Sequence, residues 1–224
     1  MFDFRLLGIK PGECETLVDV GANEGQFLFA ALDYFRPRRF LSVEMLPDVA
    51  GRLRLDPRLA AYRGEVLNCA VGECRKSVPM LRSVFSQASS LLALDPHAGE
   101  WYDMDLTQRD GGMVEVRTLD EICDEHGIEA IDVLKIDVQG YEQKVIRGGE
   151  RILHRTANVI VEVEFVPVYA DQAPAAEVLG EFEARGFELR HYLSQYRNPG
   201  GQLLHADVLF QPRRRWEGEG NWPI

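Results

Sequence analysis

The segment DVGANEGQF, from Asp19 to Phe27, has the residue types best suited to bind a charged small molecule. Apolar residues around Asp19 predict the end of a buried parallel strand, and the apolar spacing over 26–35 predicts a helix after it. Gly21 and Gly25 allow backbone angles that a side chain resists, so a ligand can approach the main chain closely. We therefore expect a binding loop at a strand-to-helix turn.

The polar residues of this loop favour a cation over a pyrophosphate. Dinucleotide-binding loops have the pattern GxGxxG, but Asn23 and Gln26 stand here in place of the second and third glycines. The carboxylates of Asp19 and Glu24 would repel a pyrophosphate and attract a sulfonium or an ammonium group. S-adenosylmethionine carries both of these cations. The loop therefore predicts that compound as the ligand, with an ordinary tight turn as the alternative.

Glu44 ends the strand-like segment 40–45, and its spacing from Gly21 is about that of the ribose-binding acid in nucleotide folds. A carboxylate at the carboxyl end of a strand can accept hydrogen bonds from both ribose hydroxyls, and it disfavours a 2′-phosphate. We predict that Glu44 binds the ribose. A solvated charge at a strand end is the alternative.

A second polar cluster lies in the segment LKIDVQGYEQKVIRGG, where Asp137 ends a strand and Gln139, Tyr141 and Glu142 open the next helix. In open α/β sheets such positions line the ligand crevice. We expect Asp137 to contact the donor's amino group or the acceptor's hydroxyl, and Gln139 to orient the acceptor. A helix N-cap or a macrodipole partner is the alternative for Asp137. Glu142 is expected to be structural.

Glu162 and Glu164 alternate with valines, so both carboxylates point to one face of an otherwise apolar strand. Because a buried unpaired acid is costly, each needs a partner or a place in the cleft, where a raised pKa would make it a candidate base. A salt bridge to Arg147 or Arg151 is the favoured alternative for Glu162. Two histidines could approach an acceptor, with a surface position as the alternative for each: His97 and His191.

Apolar β-forming segments alternate with helical patterns, which predicts an α/β fold with a mostly parallel sheet covered on both faces. The main strand candidates are Thr16 to Val20, Phe40 to Met45, Glu65 to Val71, Val133 to Asp137 and Val159 to Phe165. Residues 118–126 and 174–185 predict helices, the first opened by a capping box. Residues 187–193 and 206–211 predict an antiparallel hairpin at the sheet edge.

We therefore expect a single doubly wound, Rossmann-like domain over residues 1–224, with a seven-stranded sheet. Residues 1–15 are a short lead, 76–112 an insertion between the third and fourth strands that forms a hairpin and a lid, and 213–224 a C-terminal tail. A chain of 224 residues with 46% hydrophobic content can bury one sizeable core.

The formal net charge of −11 argues against nucleic acid as a partner, because surfaces that bind its backbone are basic. The local exception, Arg213 to Arg215, is interpreted as part of a solvated tail. No segment has the length of a membrane span or the pattern of a signal peptide, so we expect a cytoplasmic protein. The four cysteines lack metal-ligand and disulfide spacing, and we expect Cys69 and Cys123 in the core.

The order and spacing of these segments over residues 16–212 resemble the FkbM-type S-adenosylmethionine-dependent methyltransferases, a class I Rossmann-like family. The resemblance rests on LVDVGANEGQF, the acid of LSVEMLPDV, NCAVG, Ser89 and Ser90, RTLDEI, LKIDVQGYEQKVIRGG, VEVEFVPVY and HADVLF. It implies methyl transfer to oxygen, often on sugars, glycolipids or polyketide-like natural products. The implied cofactor contacts are Asp19, Gly21, Ala22, Asn23 and Gly25 to the methionine part, Glu44 to the ribose, and the Cys69 and Ala70 backbone to the adenine.

Two departures from the family limit what the resemblance implies. Gln139 stands where many members have glutamate, so a catalytic carboxylate is not assumed there. The chain begins about 15 residues before the first predicted strand, so we expect acceptor binding to depend on the insertion, the edge hairpin or a partner subunit. A homo-oligomer is left open.

The base that would remove the acceptor's proton is expected to be Asp137 or Glu164, and His97 is the next candidate. No metal-ligand triad is recognisable, so no metal is assigned. The predicted acceptor is a saccharide or another small molecule. Two rival functions remain: an NAD-dependent oxidoreductase, and a non-catalytic protein that binds an adenosine cofactor.

Overall fold

The strand Thr16–Val20 is buried along its whole length and lies inside the main sheet. The computed structural model describes residues 2–102 and 104–213. The strands are β1 (Thr16–Val20), β2 (Arg39–Val43), β3 (Gly64–Leu67), β4 (Ala70–Val71), β5 (Lys76–Ser83), β6 (Gln108–Arg117), β7 (Val133–Ile136), β8 (Val159–Glu164), β9 (Phe187–Arg197) and β10 (Leu203–Pro212). The α-helices are α1 (Gln26–Phe35), α2 (Pro47–Arg54), α3 (Leu119–Glu125), α4 (Glu142–Gly148), α5 (Glu150–Leu153) and α6 (Ala175–Ala184).

The main sheet has seven strands in the order β3-β2-β1-β7-β8-β10-β9. The first five are parallel, and β10 is antiparallel to both of its neighbours. This arrangement confirms the predicted α/β fold with a mostly parallel, seven-stranded sheet. The predicted hairpin is the pair β9 and β10, and the strand at the sheet edge is β9.

The prediction of one strand over residues 65–71 is wrong, because the chain changes sheet at Asn68. The side-chain amide of Asn68 donates to the carbonyls of Glu44 and Met45, both at 2.9 Å. This interrupts the strand, so β3 pairs with β2 whereas β4 joins a second sheet of order β4-β6-β5. In that sheet β5 and β6 pair antiparallel, which confirms the hairpin in the insertion. A lid function of the insertion stays a prediction.

Helices cover both faces of the main sheet, as its alternating apolar residues require. Val18 and Val20 of β1 pack in one cluster with residues of α3, α4, α5 and α6, whereas Leu17 packs in another with residues of α1 and α2. The predicted capping box at the start of α3 is confirmed, with reciprocal hydrogen bonds between Thr118 and Glu121. The sheet therefore has a packed core on each side.

Other predictions of the sequence are met, or fall outside the described residues. Cys69 and Cys123 are buried, as expected. Of the predicted tail 213–224, only Arg213 is described, so the interpretation of Arg214 and Arg215 lies outside the described residues. Among the described helices, none has the combination of length and apolar character that a bilayer crossing needs.

Two helical glycines give a test of the packing between α4 and β4. A Cβ atom on Gly148 would lie 2.0 Å from the carbonyl oxygen of Gly72, whereas one on Gly180 in α6 would meet no described atom within 4 Å. Alanine favours a helix over glycine by about 1 kcal/mol, but an overpacked site costs about 1–3 kcal/mol. In urea unfolding followed by circular dichroism, Gly148→Ala should lower the free energy of unfolding and Gly180→Ala should raise it. Equal stabilisation by both would contradict the packing.

Candidate active site

A cleft lies at the carboxyl ends of β1, β2, β7 and β8 and contains about 1040 Å³ of empty space, part of it open to solvent. This is where an open α/β sheet binds its ligands. Most of the predicted site residues line it together: Asp19, Gly21, Ala22, Asn23, Glu44, Cys69, Ala70, Asp137 and Gln139. Gly25 and Glu164 are not in its lining.

The glycine loop after β1 is shaped by a close contact between two backbone segments. Gly21 has a φ of +87°, and a Cβ atom there would lie 1.7 Å from the carbonyl oxygen of Asp137. The amides of Gly21 and Ala22 both donate to the carbonyl of Val43, at 2.9 and 3.0 Å. Gly25 has a φ of +83°, and a Cβ atom there would lie 2.5 Å from the ring of Phe29, so this position requires glycine. Its contact with a cofactor stays a prediction.

Glu44 is buried, with 4% of its surface exposed, so the alternative of a solvated charge is wrong. Its Oε2 accepts from the amide of Asn23 at 2.8 Å and its Oε1 from the amide of Leu46 at 2.7 Å. Burial raises the pKa of Glu44, although these backbone hydrogen bonds oppose the shift. Each carboxylate oxygen can accept a second hydrogen bond. Glu44 is therefore held rigidly and can still bind hydroxyl groups in the cleft.

Asp19 is almost completely buried, and its Oδ2 has no hydrogen-bond partner among the described residues. Burial raises the pKa of Asp19 to about 7, although the ammonium of Lys135 opposes the shift. A buried polar atom without a partner is costly, and such atoms often mark a ligand site. Because Asp19 lines the cleft, a cation bound there would supply the missing interaction.

Lys135 is buried on β7, with its ammonium 2.9 Å from Asp207 and 3.2 Å from Asp137. Burial opposes a charge on Lys135, but these two carboxylates hold its pKa above the ordinary value. Burial alone would raise the pKa of Asp137. The charge of Lys135 and the hydrogen-bond partners of Asp137 instead hold this pKa below the ordinary value. The N-cap of α4 is Tyr141, so the N-cap alternative for Asp137 is wrong.

The side-chain amide of Gln139 connects Asp137, just after β7, with Glu162 on β8. Its Nε2 donates to Asp137 Oδ1 at 2.9 Å and to Glu162 Oε2 at 2.5 Å, and its Oε1 accepts from the Tyr169 hydroxyl at 2.7 Å. A glutamate cannot donate these two hydrogen bonds when ionised. Glutamine at position 139 therefore holds two carboxyl groups side by side.

Glu162 lines the cleft, and the predicted salt bridge to a helix arginine is wrong. Arg147 pairs with Glu181, and Arg151 pairs with Asp120 and Asp124. Burial raises the pKa of Glu162 well above its ordinary value, and the neighbouring carboxylates add to the shift. Sequence alternation placed Glu162 on the correct face, but it could not identify the residues opposite.

Glu164 shares this face, but its Oε2 accepts from the hydroxyl of Tyr102 at 3.1 Å, away from the cleft lining. Burial raises the pKa of Glu164 to about 8. Its predicted position in the cleft is therefore corrected: Tyr102, from the insertion, covers it. Glu142 accepts from the backbone amides of Val138 and Gly140 at 2.9 and 3.3 Å, in keeping with its expected structural role.

The two predicted histidines do not reach the cleft. His97 pairs with Glu100 at 2.7 Å on the surface, and His191 is exposed on β9. A histidine that the sequence reasoning missed, His205 on β10, lies opposite Glu164 in the strand register. Its alternation with Asp207 was an available signal, since both side chains share one face of the sheet. Within the described residues no cluster of three His, Cys, Asp or Glu side chains fits a metal.

Comparisons with known proteins agree with this geometry. The model of the methyltransferase FkbM domain matches residues 19–189. The 2-O-methyltransferase NoeI of Sinorhizobium fredii is 41% identical over 66 residues, which is 30% of this chain and 27% of that protein. The match therefore spans about a quarter of the length of this curated relative.

Two solved structures show the same fold at low sequence identity. A methyltransferase FkbM from Methylobacillus flagellatus KT has a TM-score of 0.54 and 18% identity, over 94% of this chain and 46% of the other. A precorrin-6y C5,15-methyltransferase from Geobacter metallireducens GS-15 has a TM-score of 0.50 and 11% identity, over 94% and 85%. Since the domain model covers the glycine loop, Glu44 and the Asp137 loop together, this chain belongs to the FkbM methyltransferase family.

Proposed function

We propose that the cleft binds S-adenosylmethionine and that the protein methylates a hydroxyl group of a saccharide, a glycolipid or another small natural product. The observation that carries the proposal is the buried Asp19, whose Oδ2 lacks a partner among the described residues and belongs to the cleft lining. Membership of a methyltransferase family supports the donor, and similarity to a 2-O-methyltransferase supports oxygen as the methylated atom.

The residues that line the cleft offer a partner for each part of this donor. Glu44 would accept from the two ribose hydroxyls with the oxygens that the amides of Asn23 and Leu46 already hold in place. Asp19 would pair with the amino group of the methionine part, and the backbone of Cys69 and Ala70 would flank the adenine. When bound, S-adenosylmethionine would supply a methyl group activated by its sulfonium charge.

The chain's own contribution to the reaction is positioning and charge. Asp137 and Gln139 lie at the carboxyl end of β7 and are fixed by Lys135 and Tyr169, so their polar atoms are preorganised for an acceptor hydroxyl. Holding the reacting oxygen in line with a methyl group can supply much of the lowering of the barrier. The carboxylates would also attract the positive donor into the cleft.

The rival functions make different demands on the same cleft. An NAD-dependent oxidoreductase needs a loop that receives a pyrophosphate, whereas the buried Asp19 places an acid beside this loop. A non-catalytic protein would bind the adenosine part without methyl transfer. Calorimetry with S-adenosylhomocysteine and with NAD distinguishes the proposed methyltransferase from an oxidoreductase. Methyl transfer to a set of methyl glycosides distinguishes an enzyme from a non-catalytic binding protein.

Substituting Asp19 tests the cofactor site directly. Asp19→Asn keeps the shape but removes the negative charge, so the affinity for S-adenosylmethionine in calorimetry should fall at least about tenfold. The melting temperature without ligand should stay equal or rise, because a buried carboxylate has been removed. Glu44→Ala should also abolish binding.

The matched control for that test is Glu24→Gln, a change in the same loop at an exposed residue that pairs with Arg52 on the surface. It should leave the affinity within about twofold, since exposed ion pairs contribute little. Unchanged affinity in both Asp19→Asn and Glu44→Ala would rule out the proposed donor site.

The raised pKa of Asp19, about 7, predicts pH-dependent binding. The ionised carboxylate pairs with a cation, so binding requires loss of the proton and weakens as the pH falls below 7. From pH 7.5 to pH 6 the affinity attributable to Asp19 should fall about eightfold. Titrations in two buffers of different ionisation enthalpy should show proton release in the wild type and less release in Asp19→Asn. Equal release in both would contradict this assignment.

A further inference from the structure

Beside the cleft, an imidazole, a phenol and two carboxyl groups form a cluster that the proposed donor site does not use. The Tyr102 hydroxyl lies 2.8 Å from His205 Nδ1 and 3.1 Å from Glu164 Oε2. His205 Nε2 lies 3.9 Å from Glu162 Oε1, and Glu162 lines the cleft. The cluster therefore runs from the covered Glu164 to the edge of the cleft.

The hydrogen bonds within this cluster connect the ionisation of Glu164 to the nitrogen of His205 that carries the hydrogen. Tyr102 has one hydroxyl hydrogen, and when Glu164 is ionised Tyr102 donates this hydrogen to Glu164 Oε2. The phenol oxygen must then accept from His205, so Nδ1 carries the hydrogen. In a neutral imidazole Nε2 is then left with a lone pair. That lone pair is on the side of the ring that faces Glu162.

Stacking holds the ring of His205 in this orientation. The rings of Tyr196 and His205 lie 5.0 Å apart at an angle of 6°, and those of Tyr102 and His205 lie 6.0 Å apart at 15°. Tyr196 is opposite His205 on β9, and Tyr102 comes from the insertion. The imidazole is therefore held between residues from two other segments of the chain.

The distance between His205 Nε2 and Glu162 Oε1 allows one oxygen atom to bridge them from the side. With the two atoms 3.9 Å apart, a hydroxyl oxygen can lie about 2.8 Å from each, which is an ordinary hydrogen-bond distance. A hydroxyl seated there could accept from a protonated Glu162 and donate to Nε2. This arrangement would align the oxygen and remove its proton at the same time.

We propose that His205 takes the proton from the acceptor hydroxyl, and that Tyr102 and Glu164 position its ring. The proposal rests on the methyl transfer proposed above. The acceptor oxygen forms a bond to the methyl carbon, the carbon–sulfur bonding electrons stay on sulfur, and the hydroxyl proton goes to His205 Nε2. Glu164 thus acts through Tyr102 and His205 rather than on the acceptor.

The surroundings of His205 leave it neutral near pH 7. Burial lowers its pKa, although nearby carboxylates oppose the shift. The titratable groups that face it are Glu162, Glu164, Asp137 and Asp207, with Lys135, Tyr102 and Tyr196. A neutral imidazole has the free lone pair that a base requires, and the surrounding carboxylates favour the imidazolium once the proton has arrived.

The tautomer of His205 tests the proposal without a known acceptor. Long-range proton–nitrogen spectra of the full ¹⁵N-labelled chain, assigned with His205→Gln and recorded above pH 8, where Glu164 is ionised, should show hydrogen on Nδ1 in the wild type. Tyr102→Phe keeps the stacked ring but removes the hydroxyl, and it should shift the population toward hydrogen on Nε2. Hydrogen on Nε2 in the wild type would overturn the proposal.

Methyl transfer from S-adenosylmethionine to a set of methyl glycosides supplies the second test. His205→Gln should lower kcat at least about 100-fold while the affinity for S-adenosylhomocysteine stays within about twofold. Tyr102→Phe should lower kcat less and move the acidic limb of the pH profile. His191→Gln, at the exposed histidine of β9, is the matched control and should change nothing.

The two proposals fail in distinguishable ways. Wild-type protein that does not bind S-adenosylhomocysteine would remove the proposed function, whatever the tautomer. Wild-type turnover that His205→Gln retains within about twofold would remove only the role of His205. Loss of cofactor affinity in His205→Gln would also count against it, because this residue would then act on the donor site.

Discussion

The ammonium of Lys135 is buried among several carboxyl groups. It lies 2.9 Å from Asp207 and 3.2 Å from Asp137. The acids that share this region are Asp19, Glu44, Asp137, Glu162, Glu164 and Asp207. One buried cation cannot neutralise all of them, and uncompensated buried charge is strongly unfavourable. Some of these acids must therefore stay protonated until a cation enters the cleft.

This constraint connects the fold to the choice of ligand. Lys135 and Gln139 keep Asp137 ionised, whereas burial raises the pKa values of Asp19 and Glu162. A positive ligand would supply a partner where the protein lacks one, and an anionic ligand would meet repulsion. Burial leaves His205 as the neutral base that we propose for the acceptor, although the carboxylates around it oppose the shift.

The sequence predicts well those features that depend on local pattern. Alternation of apolar residues was enough to find the buried strands, and the acids beside the glycine loop indicated the character of the cleft. The resemblance to FkbM proteins was confirmed by the domain match over residues 19–189. Each strand or loop signal lies within a few neighbouring residues, and the resemblance depends on the order of such short segments, so a single sequence contains them.

Features that depend on distant contacts were missed. The break at Asn68 arises because its amide reaches the carbonyls of Glu44 and Met45. Lys135 reads as part of an apolar strand, and its pairing with Asp207 depends on β10 entering the sheet beside β8. Glu164 looked like a cleft residue because the sequence does not show that the insertion brings Tyr102 over it.

The central claim is that an anionic cleft at the carboxyl ends of β1, β2 and β7 binds the donor of the methyl group. A crystal structure of the protein with S-adenosylhomocysteine tests it most directly. The account predicts both ribose hydroxyls within hydrogen-bond distance of Glu44 and the amino group beside Asp19. A ligand bound outside this cleft, or inside it with the ribose away from Glu44, would contradict the account.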